Sequence, residues 1–360
     1  MVNRRQFMSG AAALAALGIR ASPCGDPFLM TGRFPSRFDL PDDPTPEEVE
    51  TLRRKWSYWM DPPDGYAFKK EVRLVKRYSY SKYDAEIYLQ RNGPEEWHWQ
   101  RVLKVFPKEI EKPLPVVAIP FYFVEAMLGH ELDDESAVLP KFTEVAQAAQ
   151  LAKRGYMAIT CDMSHVNYLK HEVSIAKPSG SFSEMSYKLA EDWPMWNAHA
   201  HRVYVTRLML DLLDDDPRVD KSRIGMTGHS LGGQTGFHAG CLDPRVKSAM
   251  LSDFGLAYDQ TCWNVLHYWG GKLAAARADG LENHTALTVS GGKPVCVIGG
   301  LYDDVRTLAE MSLAKGYRSH PEDLLFIHHA AGHRPPQWAL EEGYKFLDRT
   351  LGVTPKETLT

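Results

Sequence analysis

The chain has 360 residues, 44% of them hydrophobic and 24% charged, with a formal net charge of −4. That is the profile of a globular α/β-sized chain with a sizeable core. The slight acidity and the lack of a basic stripe argue against a nucleic-acid surface. Five cysteines are scattered without metal-type pairs; export would permit a disulfide, and the sequence itself shows none.

Asn3-Arg4-Arg5-Gln6-Phe7-Met8 precedes a short Ala/Leu-rich run ending at Ile19. A charged start and an apolar run too short to span a bilayer read as an export signal over residues 1–21. The arginine pair resembles the twin-arginine type, so export machinery is an expected transient partner and the mature chain is expected in the periplasm or outside the cell. No stable membrane span is expected in the mature chain.

Residues 22–70 read as an extension with one helix. Thr45-Pro46-Glu47-Glu48 supplies a cap, a first-turn proline and early acids, with Leu52, Trp56 and Trp59 on one face. Residues 71–352 read as a catalytic domain. Strand-like runs occur at 71–77, 85–90, 101–106, 114–119, 156–161, 223–227, 246–251, 294–298 and 323–328. Helical patterns fall at 141–154, 196–213, 233 onward, 305–315 and 336–351, and Gly155 reads as a C-cap. Strands alternating with helices predict an α/β class, a doubly wound and mostly parallel sheet. Two stretches break the rhythm, 163–194 and 256–292. Both are longer than ordinary connections and are expected to be helical or irregular lids over the site.

The chemistry centres on Gly228-His229-Ser230-Leu231-Gly232 between a strand and a small-residue helix. G-x-S-x-G in that setting is a nucleophile elbow: glycines allow the close approach that holds the serine in a strained turn. Ser230 is therefore the candidate nucleophile. Two further loops follow strands, Gly299-Gly300-Leu301-Tyr302-Asp303-Asp304 and His328-His329-Ala330-Ala331-Gly332-His333.

With the elbow, the alternation and these two loops, residues 70–350 resemble the α/β-hydrolase superfamily. The elbow context, Asp216-Pro217-Arg218-Val219-Asp220 through Gly233, looks most like dienelactone-hydrolase-related and acetyl-xylan-esterase-like proteins. The resemblance implies a Ser230–Asp303–His333 triad, with Asp304 the alternative acid or an N-cap, and it implies no cofactor. It also places an oxyanion hole at the backbone N–H of Leu231 and at Tyr122, with Phe121 as the alternative to Tyr122. A bulky Pro120-Phe121-Tyr122-Phe123 stands where relatives carry a glycine-bearing turn. Two spacings argue poorly for a metal: His329-x-x-x-His333 straddles a strand end and a loop and lacks the Glu of H-E-x-x-H, and His199-x-His201 are two apart and cannot share a helix face. Trp193, Trp196, Trp263 and Trp269 lie in or beside the two insertions and are expected to contact substrate.

The function expected is an exported serine hydrolase of carboxylic esters, with acylated carbohydrate one possible substrate class. Acyl transfer or peptide cleavage on the same residues, and a non-catalytic or metal-dependent binding protein, are the alternatives, because fold alone does not fix chemistry.

Overall fold

A computed structural model of the chain describes residues 44–164, 168–170, 172–177, 180–317 and 319–359. The expected export signal lies outside them. Thr45 opens α1 (Pro46–Met60) with a capping box: its hydroxyl accepts the Glu48 N–H, and the Glu48 carboxylate accepts the Thr45 N–H. Four strands follow, β1 (Val72–Ser79), β2 (Tyr83–Arg91), β3 (Trp99–Pro107) and β4 (Leu114–Phe121). A small two-stranded sheet comes next, β5 (His130–Glu131) and β6 (Asp134–Val138). Then come α2 (Gln147–Arg154), β7 (Met157–Asp162), α3 (Phe182–Asp192) and α4 (Ala198–Met209). Gly155 closes α2 in a left-handed conformation, φ 106°. The elbow unit is β8 (Val219–His229) and α5 (Leu231–Leu242), followed by β9 (Val246–Ser252). The C-terminal part holds α6 (Leu273–Ala278), α7 (Asn283–Val289), β10 (Val295–Gly299), α8 (Val305–Ser312), β11 (Leu324–His328) and α9 (Gln337–Leu351).

Nine strands form one sheet in the order β1-β2-β3-β7-β4-β8-β9-β10-β11. The β1–β2, β2–β3 and β3–β7 pairs are antiparallel, and every pair from β7 to β11 is parallel. Both faces of the parallel part are covered, which is why its strands read as unbroken apolar runs. In β4, Leu114, Val116 and Ala118 join the core beneath α1, α4 and α5, while Val117, Ile119 and Phe121 join the core beneath α2 and α9.

Chain order reverses around β4, which has β7 on one side and β8 on the other. In an open α/β sheet a crevice forms at such a point, at the carboxyl ends of the strands. Ser230 follows β8 there and Tyr122 follows β4.

The two irregular stretches carry more structure than their sequence showed. The first contains α3, whose Ser181 cap accepts the Glu184 N–H. The second contains α6 and α7, and the Lys272 ammonium bridges the two stretches by donating to the carbonyls of Pro194 and Trp196.

Candidate active site

Ser230 has φ 58° and ψ −120°, a conformation that costs a non-glycine residue about 1–3 kcal/mol and that the surrounding packing must impose. The packing is visible in its glycine neighbours. A Cβ on Gly228 would stand 2.3 Å from the Gly232 carbonyl oxygen, and one on Gly232 would stand 2.2 Å from that of Pro120. The Ser230 N–H is fixed to the Ser252 carbonyl at 2.9 Å. Leu231 begins α5, so its N–H has no acceptor within the helix and is available to an anion.

The Nε2 of His333 lies 2.7 Å from Ser230 Oγ. Its loop follows β11 and is pinned by the Leu301 N–H to the Gly332 carbonyl, 3.1 Å. The ring packs between Tyr302, with centroids 4.6 Å apart, and His229, at 4.8 Å. Burial, reinforced by the Arg334 charge, lowers the His333 pKa to about 4, so the imidazole is neutral at neutral pH and can accept the serine proton.

Asp303 is brought to the end of β10, but the structure does not join it to His333. One of its oxygens accepts the N–H groups of Phe254 and Gly255, at 3.1 and 3.0 Å. The other accepts the Leu256 N–H and the Thr307 hydroxyl, both at 2.9 Å. Four donors fill the acceptor capacity of a carboxylate. The Nδ1 of His333 meets no hydrogen-bond partner among the described residues. The acid role expected of Asp303 is thus corrected to that of organiser of the Phe254–Leu256 loop. Asp304 caps α8 by accepting the Arg306 N–H at 2.8 Å.

A second carboxylate, missed by the sequence reading, lies nearby. Asp253, at φ 50° and fully buried, has an oxygen 3.2 Å from His329 Nε2 and the other 4.0 Å from His229 Nδ1. Its only sequence signal was its place at a strand's carboxyl end, shared with Asp303. Burial raises its pKa to about 7 against the opposing pull of His329.

Tyr122 contributes more than a backbone position. Its largely buried phenol is near enough to Ser230 for the serine to influence its ionisation. The loop that carries it is braced by a buried ionic cluster. Arg101 on β3 donates to Asp162 at 2.6 and 2.9 Å and to Glu125 at the same two distances. Asp162 also accepts the Val124 N–H at 3.1 Å.

The four tryptophans do not line the site. Trp196, Trp263 and Trp269 are 2%, 0% and 1% exposed. Trp263 donates its indole N–H to the Gly255 carbonyl at 2.7 Å, and Trp269 packs on Trp56 and Trp59 of α1. Trp196 and the half-buried Trp193 pack on Tyr66. Large apolar rings gain most by full burial, and here the insertions fold back on the body to provide it. Around Ser230 and His333 the half-buried rings are instead Tyr122, Phe182, His267, Tyr268 and Tyr302. They form a chain of contacts: Tyr122–Phe182 at 5.9 Å, Phe182–His267 at 5.5 Å and His267–Tyr268 at 4.8 Å. Of the histidines weighed as ligands, His199 and His201 are core residues: His199 Nε2 is 2.9 Å from His238 Nδ1, and His201 Nε2 is 3.3 Å from the Tyr66 hydroxyl.

The fold is shared with solved structures. A putative acetyl xylan esterase from Bacteroides fragilis is similar at a TM-score of 0.66 and 18% identity, over 85% of this chain and 81% of that one. A CE15 glucuronoyl esterase from Teredinibacter turnerae is similar at 0.65 and 17%, over 94% and 98%. A glucuronoyl esterase from Solibacter usitatus is similar at 0.65 and 14%, over 85% and 92%. At these identities the likeness is one of fold. No curated protein matches the chain in sequence. The family model of the Abhydrolase family matches residues 72–263, from β1 through the elbow to the second insertion. The sheet order, the elbow and that match over more than half of the chain lead to one conclusion: the protein is an α/β-hydrolase and belongs to the Abhydrolase family.

Proposed function

We propose that the protein is an exported hydrolase of carboxylic esters that acts on acylated carbohydrate. The observation that carries this reading is the 2.7 Å contact between His333 Nε2 and Ser230 Oγ at a strained elbow. A serine hydroxyl becomes nucleophilic when a neutral imidazole at that distance takes its proton. Ser230 Oγ attacks the ester carbonyl carbon while its proton passes to His333 Nε2. The oxyanion is received by the backbone N–H groups of Leu231 and Tyr122. The tetrahedral intermediate collapses, the alcohol leaves with the proton from His333, and an acyl-serine remains. Water, deprotonated by the same imidazole, then releases the carboxylic acid.

The carbohydrate part of the reading is supported by the names of the fold neighbours, which are acetyl xylan and glucuronoyl esterases. It also agrees with the acetyl-xylan-esterase-like side of the sequence resemblance. Export is supported by the twin-arginine pattern at Arg4-Arg5 and by Cys262 being disulfide-bonded, chemistry suited to an oxidising compartment. A fluorophosphonate probe tests the nucleophile: it should label Ser230 and fail on Ser230→Ala. A panel of acetylated sugars, p-nitrophenyl esters and peptides tests the substrate class. Cleavage of the peptides alone would overturn the esterase reading.

A further inference from the structure

Among the described residues the fully buried cations face carboxylates, with one exception. Arg101 faces two carboxylates, Asp162 and Glu125. Arg154 of α2 likewise faces Glu341 and Asp348 of α9. Arg202 of α4 is 0% exposed, and none of its three guanidinium nitrogens meets a hydrogen-bond acceptor among the described residues. Burying an unpaired charge is among the most unfavourable things a fold can do, so a guanidinium that meets no acceptor among the described residues is suited to one supplied by a ligand.

Its surroundings say where that partner would sit. The guanidinium carbon is 5.1 Å from the centroid of the Tyr268 ring. Its charge is felt by Tyr122, Tyr268 and His267, three of the half-buried residues that ring the site. Ser230 in turn influences the ionisation of Tyr122. The cation therefore lies beneath one wall of the site, and the two phenols above it are hydrogen-bond donors. An unscreened charge in a low-dielectric wall projects its field into the adjoining cleft.

We propose that Arg202, with the hydroxyls of Tyr122 and Tyr268, forms a carboxylate-binding subsite beside Ser230, and that the preferred ester carries a free carboxylate on its sugar or acyl part. The two phenols donate to the carboxylate, and Arg202 supplies the charge that balances it. The proposal rests on the reading of Ser230 as an ester-cleaving nucleophile and adds the charge of its substrate.

The test compares isosteric acetyl esters, 3- and 4-acetoxybenzoate, with the matching acetoxybenzamides. Wild-type protein should favour the acid over the amide, for at least one isomer, by on the order of tenfold to a hundredfold in kcat/KM, the size expected of one charge pair in a partly shielded site. The preference should shrink as salt rises. In Arg202→Met the ratio should fall by about tenfold or more, whereas Arg202→Lys should retain most of it, since the cation remains. Melting temperature separates this from a structural role: replacing an unpaired buried charge with an apolar side chain should hold or raise it, where loss of a structural ion would lower it. A binding arm reads the subsite apart from the chemistry. Benzoate should stabilise the wild-type protein thermally and benzamide should not, and Arg202→Met should lose the response. Equal treatment of acid and amide, a parallel loss on both in Arg202→Met, or no response to benzoate would each overturn the proposal, while fluorophosphonate labelling of Ser230 reports separately on the nucleophile.

Discussion

His333 and Ser230 are 103 positions apart in the chain, yet Nε2 and Oγ meet at 2.7 Å with the imidazole packed between two rings rather than held by a carboxylate. A pair that works as one unit is expected to fail as one unit. Ser230→Ala and His333→Ala should each cut kcat on an acetyl ester by about a thousandfold or more, and the double variant should be scarcely worse than either single one. Additive losses in steady-state kinetics would show that the two residues act independently.

The acid limb of the pH profile should report the imidazole. His333 works as a base only when neutral, and burial together with the Arg334 charge lowers its pKa from 6.5 to about 4. Activity is therefore expected to persist as pH falls below 6 and to disappear through the region near 4. Arg334→Gln removes a repelling cation, so the limb should move upward while staying below 6.5, because burial, the larger cause, remains. A limb that stays put or moves downward in this variant would contradict the assignment.

Asp303 and Asp304 should separate by stability. Asp303→Ala strands three backbone N–H groups in a buried loop, and unsatisfied donors cost about 1–3 kcal/mol each. The expected loss is about 3 kcal/mol or more. Asp304→Ala removes a helix cap, worth about 1 kcal/mol. Urea denaturation of the two variants would settle the order, and equal losses would count against the loop-organising role.

Tryptophan and rim variants should behave in opposite ways. Trp263→Ala and Trp269→Ala open holes in a filled core and should lower stability by about 3–5 kcal/mol. Phe182→Ala, at the edge of the site, should leave melting nearly unchanged and raise KM several-fold for a bulky ester more than for a small one. Selective KM effects from the tryptophans would restore them as substrate contacts.

The pattern of what could be read from the sequence follows from the range over which each feature is determined. The elbow was legible because its requirements are local, two glycines whose side-chain hydrogens alone fit against Gly232 and Pro120. The parallel strands β4, β7, β8, β9 and β10 were legible because burial on both faces leaves unbroken apolar runs. The capped start of α1 and the left-handed Gly155 were likewise written in a few neighbouring residues. By contrast, whether Trp263 faces a pocket or a core depends on how residues 256–292 fold back, which no local pattern sets. Asp303 is defined by amides at 254–256 and Arg202 by what fails to reach it, both matters of tertiary placement.

The first described helix bears on how the chain completes itself. Trp56 of α1 donates to Thr285 at 3.1 Å, Trp59 donates to Asp279 at 2.8 Å, and both rings rest on Trp269. A segment made early in synthesis thus finds its seat only when the chain has grown past residue 285, a closure of more than two hundred positions that delays its docking. Until then the aromatic wall at Trp269 stands open to whatever other apolar surface is nearby. Trimming the protein to residue 71, where the strands begin, would make that interval permanent, and the shortened chain should aggregate even though every residue proposed for chemistry is still present.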